Sequence, residues 1–413
     1  MRIRARERPR WRTLPAGMRD QAAAEVAARR RLEGQLLALF ARWGYAEVAT
    51  PTLEFYETFL RGGGPGAGDR LLKMVDCGGE VLAMRPEMTV PLARFAATRL
   101  LPAGRSPVRL AYVAPVFRGQ ERESGREREF VQAGVELIGA GGPCADAEVI
   151  ALAAEALRAA GVAGVVISVG HAGFLRGVMS ALPEAAAEGV RDLLYRRAFA
   201  DLDEAALPDP AREVLRSLPA LRGAGALDQA AGLVTNGEGH ASLEALGATL
   251  DTVAVHAPEV QIEVDLGLIR DFDYYSGVVF EAHGPRAGLP LLGGGRYDGL
   301  LAGFGHPSPA TGFALGVERL IEVAEEADNS VAPIVVAYDE GCYSVAVAAA
   351  ARLREAGMSA VVDPAGEVSA TGKGFCIVLA GGEGLRVRHG GREEAATGET
   401  VVQVVRTVMA ARP

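Results

Sequence analysis

The sequence predicts an α+β body built on a large antiparallel sheet, followed by a small C-terminal α/β domain. Three observations carry that prediction. Strand-like apolar runs cluster: VRLAYVAPVF (108–117) and REFVQAGVELIG (128–139) flank a charged stretch, while VQIEVDLGLI, DYYSGVVFEAHG and LPLLGGGRYDGLL succeed one another between 260 and 301. Between the clusters, about 174–258, the chain is rich in Ala, Leu, Glu and Arg and broken at Pro183, Pro208, Pro210 and Pro219, the pattern of a helical insertion. Beyond EEADNSVAP (325–333), the runs PIVVAY, YSVAVAAAARLREAG, SAVVD, GFCIVLAG and ETVVQVVRTVMAA read strand, helix, strand, strand, helix.

The elements follow in order. MRIRARERPRWR is basic but precedes no apolar core, so residues 1–11 read as a disordered arm or a nucleic-acid arm, and not as a secretory signal. RRRLEGQLLALFARWGY sets Leu32, Leu36, Leu39, Phe40 and Trp43 at helical spacing, which predicts one buried face. AEVATPTLE reads as a strand ending near Pro51. RGGGPGAGDR (61–70) reads as a loop, either a lid or a plain connector, because Gly and Pro oppose regular structure; it lacks the Gly-Lys-Ser/Thr of a phosphate loop. The two runs around 108–139 predict an antiparallel hairpin with a long charged tip, GVVISVGH a further strand, and GVERLIEVAEEA a helix. The expected division is a body over 12–328 and a small domain over 329–413.

Composition limits the function. The chain has 413 residues, is 49% hydrophobic and carries a net charge of -9, so bulk electrostatics does not draw it to nucleic acid or an anionic membrane. Cys77, Cys144, Cys342 and Cys376 are scattered, which argues against a zinc site or a disulfide framework and fits a cytoplasmic protein. No apolar run is long enough to span a bilayer.

Four separated segments place polar or charged groups on runs that read as inner strands: MRPEMT (84–89), FRGQERESGREREF (117–130), IRDFDYYSG (269–277) and GGGRYDGL (293–300). Each alone has a structural explanation, such as an end-of-strand ion pair or a core tyrosine pair. Four together point to a ligand, because inner-strand charge is costly unless paired or ligand-bound.

These segments resemble the class II aminoacyl-tRNA synthetases, and among them the histidyl-tRNA synthetase group, over about residues 12 to 325. LLALFARWGYAEVATPTLE is similar to motif 1, VFRGQERESGREREFVQAGVELIG to motif 2 and GFALGVERL to motif 3, while RDFDYY and GGRYDGL are similar to the two histidine signatures. The resemblance implies a histidine pocket in which Glu87 and Thr89 contact the ammonium, and Arg118, Gln132 and Arg270 lie near the carboxylate. Glu136, Tyr274, Tyr275 and Tyr297 would line the imidazole site. Charge-assisted bonds of this kind contribute about 1.5–3 kcal/mol each.

The nucleotide side departs from the synthetase pattern. Arg118 and Arg319 match the paired class II arginines, and Arg126 and Arg128 stand as further nucleotide contacts, all in a role the departures make vestigial. Where the group has Phe-Arg-x-Glu-Arg, this chain has Phe117-Arg118-Gly119-Gln120-Glu121-Arg122. Gln120 can still accept from adenine. Glu121 replaces a cation by an anion beside a polyanion, at roughly 1 kcal/mol per unit pair at 4 Å in water and about 4 at a surface-like dielectric. Asp271 adds a carboxylate where the signature has Gly. From Val331 to Pro413 there are 8 Lys+Arg against 9 Asp+Glu, little for gripping RNA, and PAGEVSATGK is too short for the helix that group has there.

LPAGMRD, TPTLEFYETF, MRPEMTVPLAR and the run Phe117–Arg126 are similar to a second family, the regulatory subunits of ATP phosphoribosyltransferase. That resemblance implies a non-catalytic role in the first step of histidine biosynthesis, feedback control by histidine and no cofactor. It also implies a short-form catalytic partner, a homodimer within a hetero-oligomer, and no membrane or tRNA partner. An active histidyl-tRNA synthetase with divergent motif 2 and a stand-alone amino-acid-binding module are the alternatives.

Overall fold

The computed structural model describes residues 12–410 except 64–67, 69–70, 120–126, 181, 196–197, 199–200, 202–207, 235, 270–273, 285–287, 325–332, 340, 364–375, 382–383 and 390. The arm 1–11, Gln120, Glu121, Arg126, Arg270, Asp271 and PAGEVSATGK therefore lie outside the described residues. The chain forms two compact units, Met1–Glu325 and Glu326–Pro413.

The first unit opens with α1 (Ala23–Arg42), β1 (Ala46–Glu47), β2 (Leu53–Phe55), α2 (Tyr56–Gly63), β3 (Lys73–Val75), β4 (Val81–Met84) and α3 (Thr89–Phe95). Next come β5 (Val108–Phe117), β6 (Glu129–Ile138), α4 (Pro143–Ala159) and β7 (Val166–His171). Among the described residues five helices follow: α5 (Ala172–Met179), α6 (Glu184–Tyr195), α7 (Asp209–Ser217), α8 (Ala226–Leu233) and α9 (Gly237–His256). The unit ends with β8 (Ile262–Val264), β9 (Val278–His283), β10 (Leu292–Arg296), β11 (Ala310–Gly316) and α10 (Val317–Val323).

Eight strands form one sheet in the order β1-β5-β6-β11-β10-β9-β7-β8. Its centre is antiparallel, as the clustered runs predict, but β1 pairs parallel to β5 and β8 parallel to β7. Each parallel strand is reached through helices, the connection that parallel pairing requires. The hairpin of β5 and β6 runs in register from Val108↔Ile138 to Phe117↔Glu129. Along β6, Ala133, Val135 and Leu137 join the main core with Leu36, Leu39 and Phe40 of α1, while Gln132, Gly134 and Glu136 alternate to the opposite face. Helix α1 starts where Glu25 accepts the Ala22 N–H at 2.7 Å. Trp43 lies just past its end and donates Nε1–H to Glu155 at 2.8 Å.

Three readings need correction. The strand read in AEVATPTLE does not run to Pro51: it is Ala46–Glu47, which joins the large sheet, and Leu53–Phe55 pairs with β4 in a separate three-stranded sheet. Pro51, which lacks an N–H for the ladder, stands between them. RGGGPGAGDR is not loop throughout, since Arg61–Gly63 form the last turn of α2. MRPEMT is not strand beyond Met84: Pro86 cannot donate to a ladder, and Thr89 begins α3.

The second unit contains β12 (Ile334–Tyr338), α11 (Tyr343–Glu355), β13 (Ala360–Asp363), β14 (Ile377–Gly381), β15 (Gly384–His389), β16 (Arg392–Ala396) and α12 (Val401–Ala410), with the sheet order β13-β12-β14-β15-β16. The hairpin of β15 and β16 is absent from the strand-helix-strand-strand-helix reading. Leu385 and Val387 face the core while Arg386 and Arg388 face out, and Arg388 pairs with Glu393 at 2.6 Å. That reading assigns nothing to 384–396, although the alternation of Leu385 and Val387 with Arg386 and Arg388 is the pattern of a half-buried strand. No helix among the described residues is long and apolar enough to cross a membrane.

Candidate functional site

The site lies on the face of β5, β6, β11 and β10 opposite the main core. At its floor is Glu136 of β6, 1% exposed. The Tyr297 hydroxyl, just past β10, donates to one of its oxygens, and the Thr89 hydroxyl, at the start of α3, donates to the other at 2.8 Å. Glu87, 3% exposed, accepts the N–H groups of Thr89 and Val90 at 2.6 and 2.9 Å. Thr89 thus joins two buried carboxylates, with its backbone on Glu87 and its hydroxyl on Glu136. Burial pushes the Glu136 pKa up to about 8 despite these hydrogen bonds, and burial also raises Glu87.

Tyrosines enclose the pair. The Tyr274 ring lies 4.8 Å from Tyr275 and 5.7 Å from Tyr297 between centroids, and the Tyr274 hydroxyl is raised well above its ordinary pKa by burial, then by Tyr275, Glu87 and Glu136. IRDFDYYSG does not supply these residues from a strand; β9 starts only at Val278. Glycine makes room at the base. A methyl group on Gly312, paired with Glu136 in the β6–β11 register, would overlap the Glu136 carboxylate.

A buried ion pair fixes the tyrosine side from behind. Arg296, the last residue of β10, meets Asp146 of α4 at 2.9 Å and Asp298 at 2.9 Å. Asp298 accepts the Ala310 N–H at 3.0 Å, and its own N–H donates to Ser276 at 2.8 Å. Tyr297 is therefore flanked by anchored residues.

The arginine end is built differently. Arg118 follows β5 and donates Nε–H to the Pro86 carbonyl at 3.1 Å, next to Glu87. Its guanidinium carbon is 5.2 Å from the Phe130 ring centroid, and that of Arg319 on α10 is 6.0 Å from the same ring. Arg319 also donates to the Pro290 carbonyl at 3.0 Å. The Arg128 carbonyl accepts the Arg118 N–H at 2.8 Å, so Arg128 stands beside Arg118 at the hairpin's end. Gln132 is buried at 6% exposure, and its side-chain oxygen has no hydrogen-bond partner among the described residues.

The structure thus gathers Glu87, Thr89, Glu136, Tyr274, Tyr275 and Tyr297, places Arg118 beside Glu87, and puts Arg118 and Arg319 on one aromatic ring. Arg270, Gln120 and Arg126 are outside the described residues. Sequence reasoning missed Tyr112 of β5, fully buried, whose pKa is raised by burial and then by Glu136 and Glu87. It pairs with Gly134, over which its ring lies. An aromatic facing a glycine across a predicted hairpin was the available signal.

Fold and site together define a body of the class II aminoacyl-tRNA synthetase type. The histidyl-tRNA synthetase family matches residues 17–320. The ATP phosphoribosyltransferase regulatory subunit of Moorella thermoacetica is 44% identical over 315 residues, 75% of this chain and 81% of that protein. The one of Symbiobacterium thermophilum is 41% identical over 363 residues, 85% and 90% of the two chains. A crystal structure of an ATP phosphoribosyltransferase regulatory subunit/histidyl-tRNA synthetase from Bacillus halodurans superposes with a TM-score of 0.81 at 31% identity, covering 91% of this chain and all of that one. The chain belongs to the histidyl-tRNA synthetase family and, within it, to the ATP phosphoribosyltransferase regulatory subunits.

Proposed function

We propose that this chain is the non-catalytic regulatory subunit of an ATP phosphoribosyltransferase, that it binds histidine in the Glu87–Glu136 site, and that this binding feeds back on the first step of histidine biosynthesis. The carrying observation is the joined pair of buried carboxylates under a tyrosine wall. Glu87 offers a carboxylate to an ammonium and Glu136 an acceptor to a ring N–H, while Arg118 offers a guanidinium to a carboxylate. A site of this type disfavours amino acids lacking the ring nitrogens, because they gain no charge-assisted bond to the buried carboxyl group.

The transferase chemistry resides in a short-form catalytic partner, and this chain acts as a homodimer within the hetero-oligomer in the cytoplasm. Control follows from linkage: histidine shifts the assembly toward the state that binds it better, and couplings of about 1–3 kcal/mol change activity several-fold to a hundredfold. The test is histidine titration of the complex reconstituted with its catalytic subunit. Glu136→Ala is expected to raise the half-inhibitory concentration at least tenfold while sparing uninhibited activity. Unchanged inhibition in that variant would remove this pocket from the mechanism.

A second reading, an active histidyl-tRNA synthetase, draws on Arg118 and Arg319 sharing the Phe130 ring. Robust histidine-dependent pyrophosphate exchange by the pure chain would favour it over the regulatory reading.

A further inference from the structure

The segment Pro15–Asp20, part of LPAGMRD, has no place in the site described above, yet it touches the end of the hairpin that carries Arg118. The register of β5 and β6 stops at Phe117↔Glu129. One rung further, Arg118 donates its N–H to the Arg128 carbonyl at 2.8 Å, and the Arg128 N–H is turned to the Gly17 carbonyl at 2.7 Å. Gly17 thus continues the hydrogen-bond ladder beyond the hairpin.

Its backbone is suited to this. The Met18 N–H donates to the Pro15 carbonyl at 3.1 Å, closing a turn in which Gly17 has φ +78, as the third position of a type II turn requires. The Arg128 stem lies flat on that glycine: a Cβ there would stand 2.7 Å from Arg128 Cγ. Two residues on, the Arg19 guanidinium reaches Glu127 at 2.5 Å and Glu25 at 2.6 Å. Glu25 in turn caps α1 through the Ala22 N–H. One guanidinium therefore ties the start of α1 to the residue preceding Arg128.

We propose that Gly17 and Arg19 are positioning residues for the anion-binding end of the site: they hold Arg128, and through it Arg118, where a ligand carboxylate is met. The inference rests on the reading of Arg118 as a carboxylate ligand. Contact runs from Gly17 to Arg128, to Arg118, and on to Pro86 beside Glu87. The strap touches neither Glu136 nor the tyrosine wall in any of these contacts, so its effect is confined to one end of the ligand.

That confinement sets the experiment. The full chain, Gly17→Ala and Arg19→Gln are titrated with L-histidine and with histamine, which keeps the ring and the ammonium but lacks the carboxylate. Hydrogen exchange at the Arg118 and Arg128 amides is followed in parallel. Gly17→Ala is expected to weaken histidine about tenfold and Arg19→Gln about fivefold, each leaving histamine within twofold and speeding exchange at both amides. Arg19→Gln removes a partly exposed ion pair, so it keeps the test open if Gly17→Ala fails to fold. An unchanged ratio of histidine to histamine affinity in a folded variant overturns the strap's role. Failure of the unaltered chain to bind histidine overturns instead the reading of the site on which it rests.

Discussion

The two ends of the site are held by different physics. At the carboxylate end, Glu136 and Glu87 sit at 1% and 3% exposure, and among the described residues every hydrogen bond they accept comes from a strand-end tyrosine or from the first residues of α3. At the arginine end, Arg118, Arg128 and Arg319 sit at element termini and rest on backbone carbonyls and one aromatic ring. The first end is part of the core, so disturbing it costs stability and binding together. The second is added at the rim, so disturbing it costs binding with little stability. Under the proposed function, recognition of a ring and ammonium is built into the fold, whereas the groups proposed to face a carboxylate stand where substitution costs the fold less.

Substitutions sharpen or break that contrast. The largest effect is expected from Arg296→Ala, which leaves buried Asp146 uncompensated behind Tyr297; a loss of about 3–5 kcal/mol in denaturant unfolding is predicted. Glu136→Ala strips the acceptor from two buried hydroxyls but also removes a carboxyl whose own burial is costly, so a smaller net loss of about 1–3 kcal/mol is expected, with histidine affinity falling in step. A variant that lost affinity with full stability would show that this end is not part of the core.

Acidity gives a smaller, graded effect. The Glu136 pKa is raised in the fold from 4.5 to about 8, so the stability linked to it is fully present below about 4.5 and is lost as pH rises through about 8. Relative to Glu136→Gln, the unaltered chain should lose stability over that window, by at most about tenfold in the folding constant per pH unit. Parallel profiles would contradict the assignment. Arg118→Ala should change stability least, by about 1 kcal/mol for the lost Pro86 and Phe130 contacts, while weakening histidine about tenfold and sparing histamine. A large fall in melting temperature would erase the contrast between the ends.

Much of this was legible in the sequence, for reasons that vary by element. The hairpin of β5 and β6 was readable because its apolar runs are long and bracket a polar tip. Glu87, Thr89 and Tyr297 lay in segments readable as charge or hydroxyl on otherwise apolar runs, although two of them turned out to stand at a strand-to-helix junction, whereas Glu136 was named only through the family resemblance. Tyr112 was not, because a tyrosine in an apolar strand looks like core until its partner Gly134 is known. The Arg296–Asp146 pair was not, since it joins positions 150 residues apart. The β15–β16 hairpin was missed although Leu385 and Val387 alternate with Arg386 and Arg388, and β1 was overextended because Val48 still donates its N–H to the Ala111 carbonyl at 2.9 Å while the chain beyond it leaves the large sheet.

The central claim is that the joined carboxylates bind histidine. Calorimetric titration of the full chain with L-histidine, beside Glu136→Ala, tests it most directly. Saturable binding to the unaltered chain, weakened at least thirtyfold in the variant, is the predicted result; no binding, or equal binding to both, would contradict it.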